Sequence, residues 1–190
     1  MEEELQKIYN KCKKELKEIG INIEKEQEIG KIEIGISKRS TKRYGVCKQE
    51  EPDLSTKYLE KKENKIFIRY AKYKKHKIEI SAWVMELNEE IIKNTIIHEL
   101  IHCLPMCNNH GKVFKEYAKY IKNQLGYDIK TTGNKKEDYK KSNKKYIEEK
   151  QYKYIIKCKN CGQLYYRMRK PKNLQRYRCS LCNGKLIIIQ

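Results

Sequence analysis

His98-Glu99-Leu100-Ile101-His102 sets two imidazoles four residues apart with a carboxylate between them. On a helix, residues i and i+4 share a face, and four residues of rise is about 6 Å. Two ring nitrogens leaning together can then each approach one zinc ion to about 2.1 Å. The reading holds only if the stretch is helical, and its flanks supply the helix. Asn88 is a fitting N-cap, and Glu89 and Glu90 suit the positive end of the helix dipole. Ile92, Thr95, Ile96 and Leu100 recur at helical spacing, and Pro105 blocks continuation. Glu99, beside the histidines, is placed to take a proton from an attacking water and pass it to a leaving amine, which is peptidase chemistry.

Working outward, a second helix is expected over 110–125, with Val113, Phe114, Tyr117, Ala118, Ile121 and Leu125 inward and Gly126 as its stop. His110 at its start is positioned to return to the same ion as a third ligand, leaving a fourth position open. Towards the amino end, Leu5, Ile8, Tyr9, Cys12, Leu16 and Ile19 predict an amphipathic helix over 2–19, stopped at Gly20. The β-rich stretches 31–37, 65–70 and 77–84 predict a small sheet. His76, alone among lysines, reads as a surface residue, Cys12 reads as core, and Cys103 and Cys107, whose spacing fits no familiar ligand motif, read as buried, with a regulatory or additional metal role as the alternative.

Towards the carboxyl end, Cys158-x2-Cys161 and Cys179-x2-Cys182 are separated by 17 residues, the spacing of a four-cysteine structural zinc site. Gly162 and Gly184 follow the pairs as tight knuckle turns require, and 164–169 and 186–189 supply strands. The shape implied is a zinc ribbon over 152–190, too small for an adequate apolar core, so that bound metal supplies much of its folding free energy. Two disulfides are the rival reading.

The chain holds 44 Lys+Arg against 25 Asp+Glu in 190 residues. Lysine, isoleucine, asparagine and tyrosine share AT-rich codons, so the distribution is more informative than the total. Residues 131–190 hold 17 basic and 4 acidic side chains, and 152–190 hold ten and none. The stretch 130–151, lysine-rich and nearly devoid of apolar residues, reads as a linker. Beyond it, Arg167, Arg169, Lys170, Arg176 and Arg178 alternate with Tyr165, Tyr166 and Tyr177, a composition suited to phosphate contacts and base stacking. A merely solubilising surface is the alternative. No apolar run approaches the ~18 residues of a membrane span, and Met1-Glu2-Glu3-Glu4 is acidic where a signal peptide is basic. The expectation is an intracellular, cytoplasmic protein, nucleoid-associated if it binds DNA, with no membrane partner.

In arrangement the sequence resembles the SprT-like metallopeptidase family, whose relatives include the Spartan proteases that degrade proteins crosslinked to DNA. The resemblance rests on the amino-terminal helix, the segment Ser40-Thr41-Lys42-Arg43-Tyr44-Gly45-Val46-Cys47, a strand leading to the His98–His102 motif, His110-Gly111-x-x-Phe114, and the carboxyl-terminal cysteines. It implies an α+β fold: a zincin-like domain over 1–129, the linker 130–151 and a zinc ribbon over 152–190. It further implies a catalytic Zn²⁺ on His98, His102 and His110 with Glu99 as general base, and a structural Zn²⁺ on Cys158, Cys161, Cys179 and Cys182. Protein substrates and DNA, including single strands, are the partners it suggests. The seven residues between His102 and His110 depart from the metzincin spacing of five. The competing expectations are a non-catalytic nucleic-acid-binding zinc-ribbon protein, and a metallopeptidase with no dependence on nucleic acid.

Overall fold

A computed structural model describes residues 1–62, 65–146 and 152–190. The chain divides into two compact units, Met1–Tyr146 and Ile147–Gln190.

The first unit is built on a three-stranded sheet. Helix α1 (Glu2–Glu18) and the single turn α2 (Glu26–Ile29) precede strand β1 (Lys31–Ser37). Strand β2 (Gly45–Pro52) follows, then a hairpin of β3 (Lys57–Lys62) and β4 (Lys65–Tyr70), then β5 (Tyr73–Ser81). The sheet runs β1-β5-β2, with β5 central, parallel to β1 and antiparallel to β2. β3 and β4 form a separate two-stranded sheet. The expected strand 77–84 therefore begins earlier and ends at Ser81, and residues Ala82–Glu86 turn as a 3-10 helix.

Alternation along β5 explains which face is covered. His76, Ile78 and Ile80 point into the core, while Lys75 and Lys77 lie on the opposite face. His76 is thus no surface residue: it is 1% exposed, and its Nε2 lies 2.7 Å from the carbonyl of Ile29. The two lysines that flank it directly, Lys75 and Lys77, belong to the other side of the pleat.

Helix α3 (Glu89–Ile101) lies against this sheet and against α1. Asn88 caps it, its Oδ1 accepting from the Ile91 N–H at 2.9 Å. The expected single apolar face is too narrow a description. Ile91, Ile92, Ile96, Ile97, Leu100 and Ile101 are all buried, so the helix is enclosed on most sides. Even Lys93 is buried, its Nζ 2.7 Å from Glu15 of α1. Helix α4 (Lys112–Leu125) contributes buried Phe114 and Ile121 and ends at Gly126, whose φ of 77° provides a left-handed cap.

Part of the stretch read as a linker is a built element. Helix α5 (Lys135–Lys141) starts at an Asn134 cap and belongs to the first unit. Tyr139 stacks on Trp83 with ring centroids 6.1 Å apart, Asp138 accepts from the Tyr44 hydroxyl, and the Ser142 hydroxyl accepts from the Asn88 N–H. Seven lysine-rich residues have no helical stability of their own, so these contacts hold the turn in place. The last five residues of that stretch, 147–151, lie outside the described residues.

The second unit is a three-stranded antiparallel sheet ordered β7-β6-β8, made of β6 (Tyr154–Cys158), β7 (Leu164–Arg167) and β8 (Leu186–Ile188). β7 and β8 fall where strands are expected, and β6 joins them as the central strand. The structure as a whole is mixed α+β, and among the described residues no helix is long and apolar enough to cross a membrane.

Candidate metal centre and its cleft

The last turn of α3 presents His98 and His102 on one face, and the loop before α4 brings back His110. The Nε2 atoms of His98 and His110 are 3.0 Å apart, and those of His102 and His110 are 3.2 Å apart. The orientation of His102 is fixed from behind: its Nδ1–H donates to the Cys107 carbonyl at 2.7 Å, which leaves the Nε2 lone pair facing the cluster. Fully buried Phe114 lies under all three rings, with centroid distances of 4.7 to 4.9 Å. Burial, with His102 and His110 nearby, pushes His98 down to about 3, and burial lowers His102 and His110 as well. Three neutral imidazoles with converging nitrogens at these separations can each sit about 2.0–2.1 Å from one ion, so the donor set fits a metal of zinc's class.

Glu99 is 5% exposed and held by the edge strand β2. Burial, and next the Cys47 sulfur, push its carboxyl up to about 8, against the lowering pull of the Cys47 backbone. Gly45 leaves the room it occupies: a Cβ there would come within 2.8 Å of Glu99 Oε1. Gly45→Ala should therefore keep the fold and the three-histidine cluster but displace the carboxylate. If Glu99 acts in catalysis, a loss of roughly 10²-fold is expected from such a displacement, with metal content unchanged. Steady-state kinetics beside metal analysis checks this, and unaltered turnover would show that the carboxylate position does not matter.

Beside the histidines lies a cleft of 380 Å³, lined in part by Arg43, Asn94, His98, Glu99, His110 and Lys130. Asn94 Oδ1 is buried without a hydrogen-bond partner among the described residues. The sequence reading missed Asn94, although it stands one helical turn before His98 and so on the same face.

In the second unit the four expected cysteines converge. Cys158 and Cys182 have sulfurs 3.4 Å apart, Cys161 and Cys179 3.5 Å, and all four sulfurs lie within 4.8 Å of one another. Gly162 makes the first knuckle turn at φ 75°, and a Cβ at Gly184 would come within 2.8 Å of the Cys158 sulfur, so Gly184 lets the backbone approach the cluster closely. The Tyr165 hydroxyl lies 3.2 Å from the Cys179 sulfur. Four thiols in this arrangement can hold a metal ion, and they are too widely separated to be two disulfides as they stand. Arg167, Arg169, Lys170, Arg176 and Arg178 are all exposed, as are Tyr166 and Tyr177, whereas Tyr165 is half-buried.

Three curated proteins, each named "Protein SprT-like", share part of this sequence. The chain is 50% identical to that of Lactococcus lactis over 42 residues, which are 22% of this chain and 28% of the relative. It is 32% identical to that of Oceanobacillus iheyensis over 104 residues, 55% of this chain and 62% of the relative. Against that of Lysinibacillus sphaericus it is 32% identical over 121 residues, 60% of this chain and 72% of the relative. The matches thus span less than two thirds of the first two relatives. The SprT-like family model matches residues 5–133, a stretch that runs from the first turns of α1 through Gly45, the three histidines and the far wall of the cleft. On that match, which takes in nearly all of the first unit, the chain belongs to the SprT-like family.

Proposed function

We propose that the protein is a zinc-dependent metallopeptidase that acts on proteins bound or crosslinked to DNA. The observation that carries the catalytic half is the convergence of the three histidine Nε2 atoms beside a buried carboxylate at the edge of an open cleft. His98, His102 and His110 would hold Zn²⁺, whose Lewis acidity polarises a carbonyl and makes water acidic near neutral pH. Glu99 accepts the proton of the attacking water on a carboxylate oxygen and returns it to the leaving amine. Burial alone holds its proton too tightly for a base at pH 7, and a dication nearby pulls that value back down. The outer edge of β2 has no strand partner among the described residues, so an extended polypeptide can pair along it beside Glu99. Asn94 Oδ1 offers such a chain an unused acceptor.

The nucleic-acid half rests on the second unit, where ten Lys and Arg face no acidic residue over 152–190 and the five named cations are exposed. Cations displace condensed counterions from phosphates, and exposed tyrosines offer stacking surfaces. A four-cysteine Zn²⁺ site would organise that surface.

The test is elemental analysis of the intact protein and of a His98→Ala, His102→Ala variant, followed by cleavage of a DNA-binding protein with and without single-stranded DNA. The expected result is loss of about one zinc equivalent in the variant, and cleavage by the intact protein that rises with DNA. An unchanged zinc count would remove the histidine site. DNA binding without cleavage by the zinc-loaded protein would leave a non-catalytic binding protein instead.

A further inference from the structure

Behind Glu99, on the core side of β2, a third set of metal-type donors comes together. Gly45, Cys47 and Gln49 alternate along β2 and all meet the end of α3: Gly45 faces the Glu99 carboxylate, Cys47 faces Cys103, and Gln49 Nε2 donates to the His102 carbonyl at 2.8 Å. Cys47 Sγ lies 3.6 Å from Cys103 Sγ and 3.8 Å from Nδ1 of His76 on β5. All three donor atoms fall within 4.8 Å of one another.

The histidine decides what kind of cluster this is. Its Nε2 is 2.7 Å from the Ile29 carbonyl, and only an N–H can face a carbonyl at that distance, so the Nδ1 lone pair points at the sulfurs. A ring nitrogen anchored to a backbone carbonyl behind a free nitrogen is the usual support of a metal-ligating imidazole. The sulfur separation matches the 3.4 and 3.5 Å of the four-cysteine cluster in the second unit and is far longer than a disulfide bond. Donors so spaced can all lie about 2.0–2.3 Å from one ion.

We propose that Cys47, His76 and Cys103 form a third metal site that takes a thiophilic divalent ion of the Zn²⁺ class. Two thiolates neutralise a dication, which suits a place where His76 is 1% and Cys103 is 3% exposed and no other counter-charge is needed. Thiolate and imidazole together select borderline-soft ions over Mg²⁺ or Ca²⁺. The ion would tie β2 and β5 to the end of α3. It would brace β2 at Cys47, two residues from the Gly45 that faces the Glu99 carboxylate, and so act on the carboxylate through position alone. The site is independent of the peptidase reading, because it needs neither the three histidines nor the cleft.

Co²⁺ is a spectroscopic probe of thiolate ligation. Full-length protein, reduced, stripped and reloaded with Co²⁺, should bind about three equivalents. Cys47→Ala and Cys103→Ala should each lose about one equivalent and about a third of the thiolate-to-cobalt charge-transfer absorbance, since two of six ligating thiolates would go. His98→Ala, His102→Ala should lose one equivalent and none of that absorbance, so failure of the histidine site and failure of this one are told apart. A wild-type count that neither cysteine variant lowers, or a charge-transfer absorbance that four thiolates account for, would overturn the proposal. So would a native mass two daltons low with Cys47 joined to Cys103. The wild-type count and absorbance decide the matter even if a variant does not fold.

Discussion

Glu99→Gln is expected to lower peptide-bond cleavage by about 10³-fold while the zinc content and the fold stay as they are. The substitution keeps the shape of the side chain, so it still fits the space that Gly45 leaves. What disappears is the ability to take a proton from water and deliver it to the leaving nitrogen. Stability should move in the opposite direction. Burial raises the Glu99 carboxyl from the ordinary 4.5 to about 8, so between those values the folded metal-free chain keeps a proton that the unfolded chain releases. Stability of the metal-free wild type therefore falls as pH rises through that window, and the glutamine variant, with nothing to titrate there, should not share this fall. Thermal unfolding of both stripped proteins at pH 5 and pH 8 measures the difference, and single-turnover cleavage by the zinc-loaded pair measures the chemistry. Cleavage retained by the loaded variant would remove Glu99 from the reaction.

The centre of this site was legible because its signals are local. Two histidines at i and i+4 need only a helix to share a face, and Asn88 and Pro105 bracket one. The two Cys-x2-Cys pairs likewise announce themselves through spacing. What escaped was set by partners distant in sequence. β2, rich in Lys, Gln and Glu from Lys48 onward, becomes a strand because it pairs with β5, and only that pairing shows why Gly45 must be small. α5 forms because Tyr44, Trp83 and Asn88 receive it, none of which its own seven residues reveal. His76 was legible in principle, since it continues the alternation of Ile78 and Ile80. Its charged neighbours hid a period of two that a strand starting at Tyr73 makes plain. Asn94 follows the same rule on α3, one turn before His98.

Stripping the metal from the four cysteines, by chelation or by Cys179→Ser, should unfold residues 152–190 and leave the core of the first unit folded. Among the described residues of the second unit the buried hydrophobic positions are Ile156, Cys158 and Cys179, and two of those three are themselves proposed ligands. One isoleucine cannot offset the chain entropy of some forty residues, whereas a structural Zn²⁺ contributes about 10–16 kcal/mol of apparent binding free energy. The first unit has a continuous core from Leu5 to Ile121 and needs no such help. Hydrogen exchange should therefore show β6, β7 and β8 losing protection while α1 and the buried middle of α3 keep theirs. Protection surviving in β6 and β8 after chelation would mean that the sheet stands without metal. The same experiment separates charge from shape in DNA binding. Four thiolates and one Zn²⁺ take two from the ten positive charges of 152–190, so the stripped, protonated segment is more cationic, not less. If affinity came from charge alone it would persist or rise on stripping. A fall, with the salt dependence of the remaining binding little changed, would show that the arrangement of cations and tyrosines on the folded sheet is what recognises the strand.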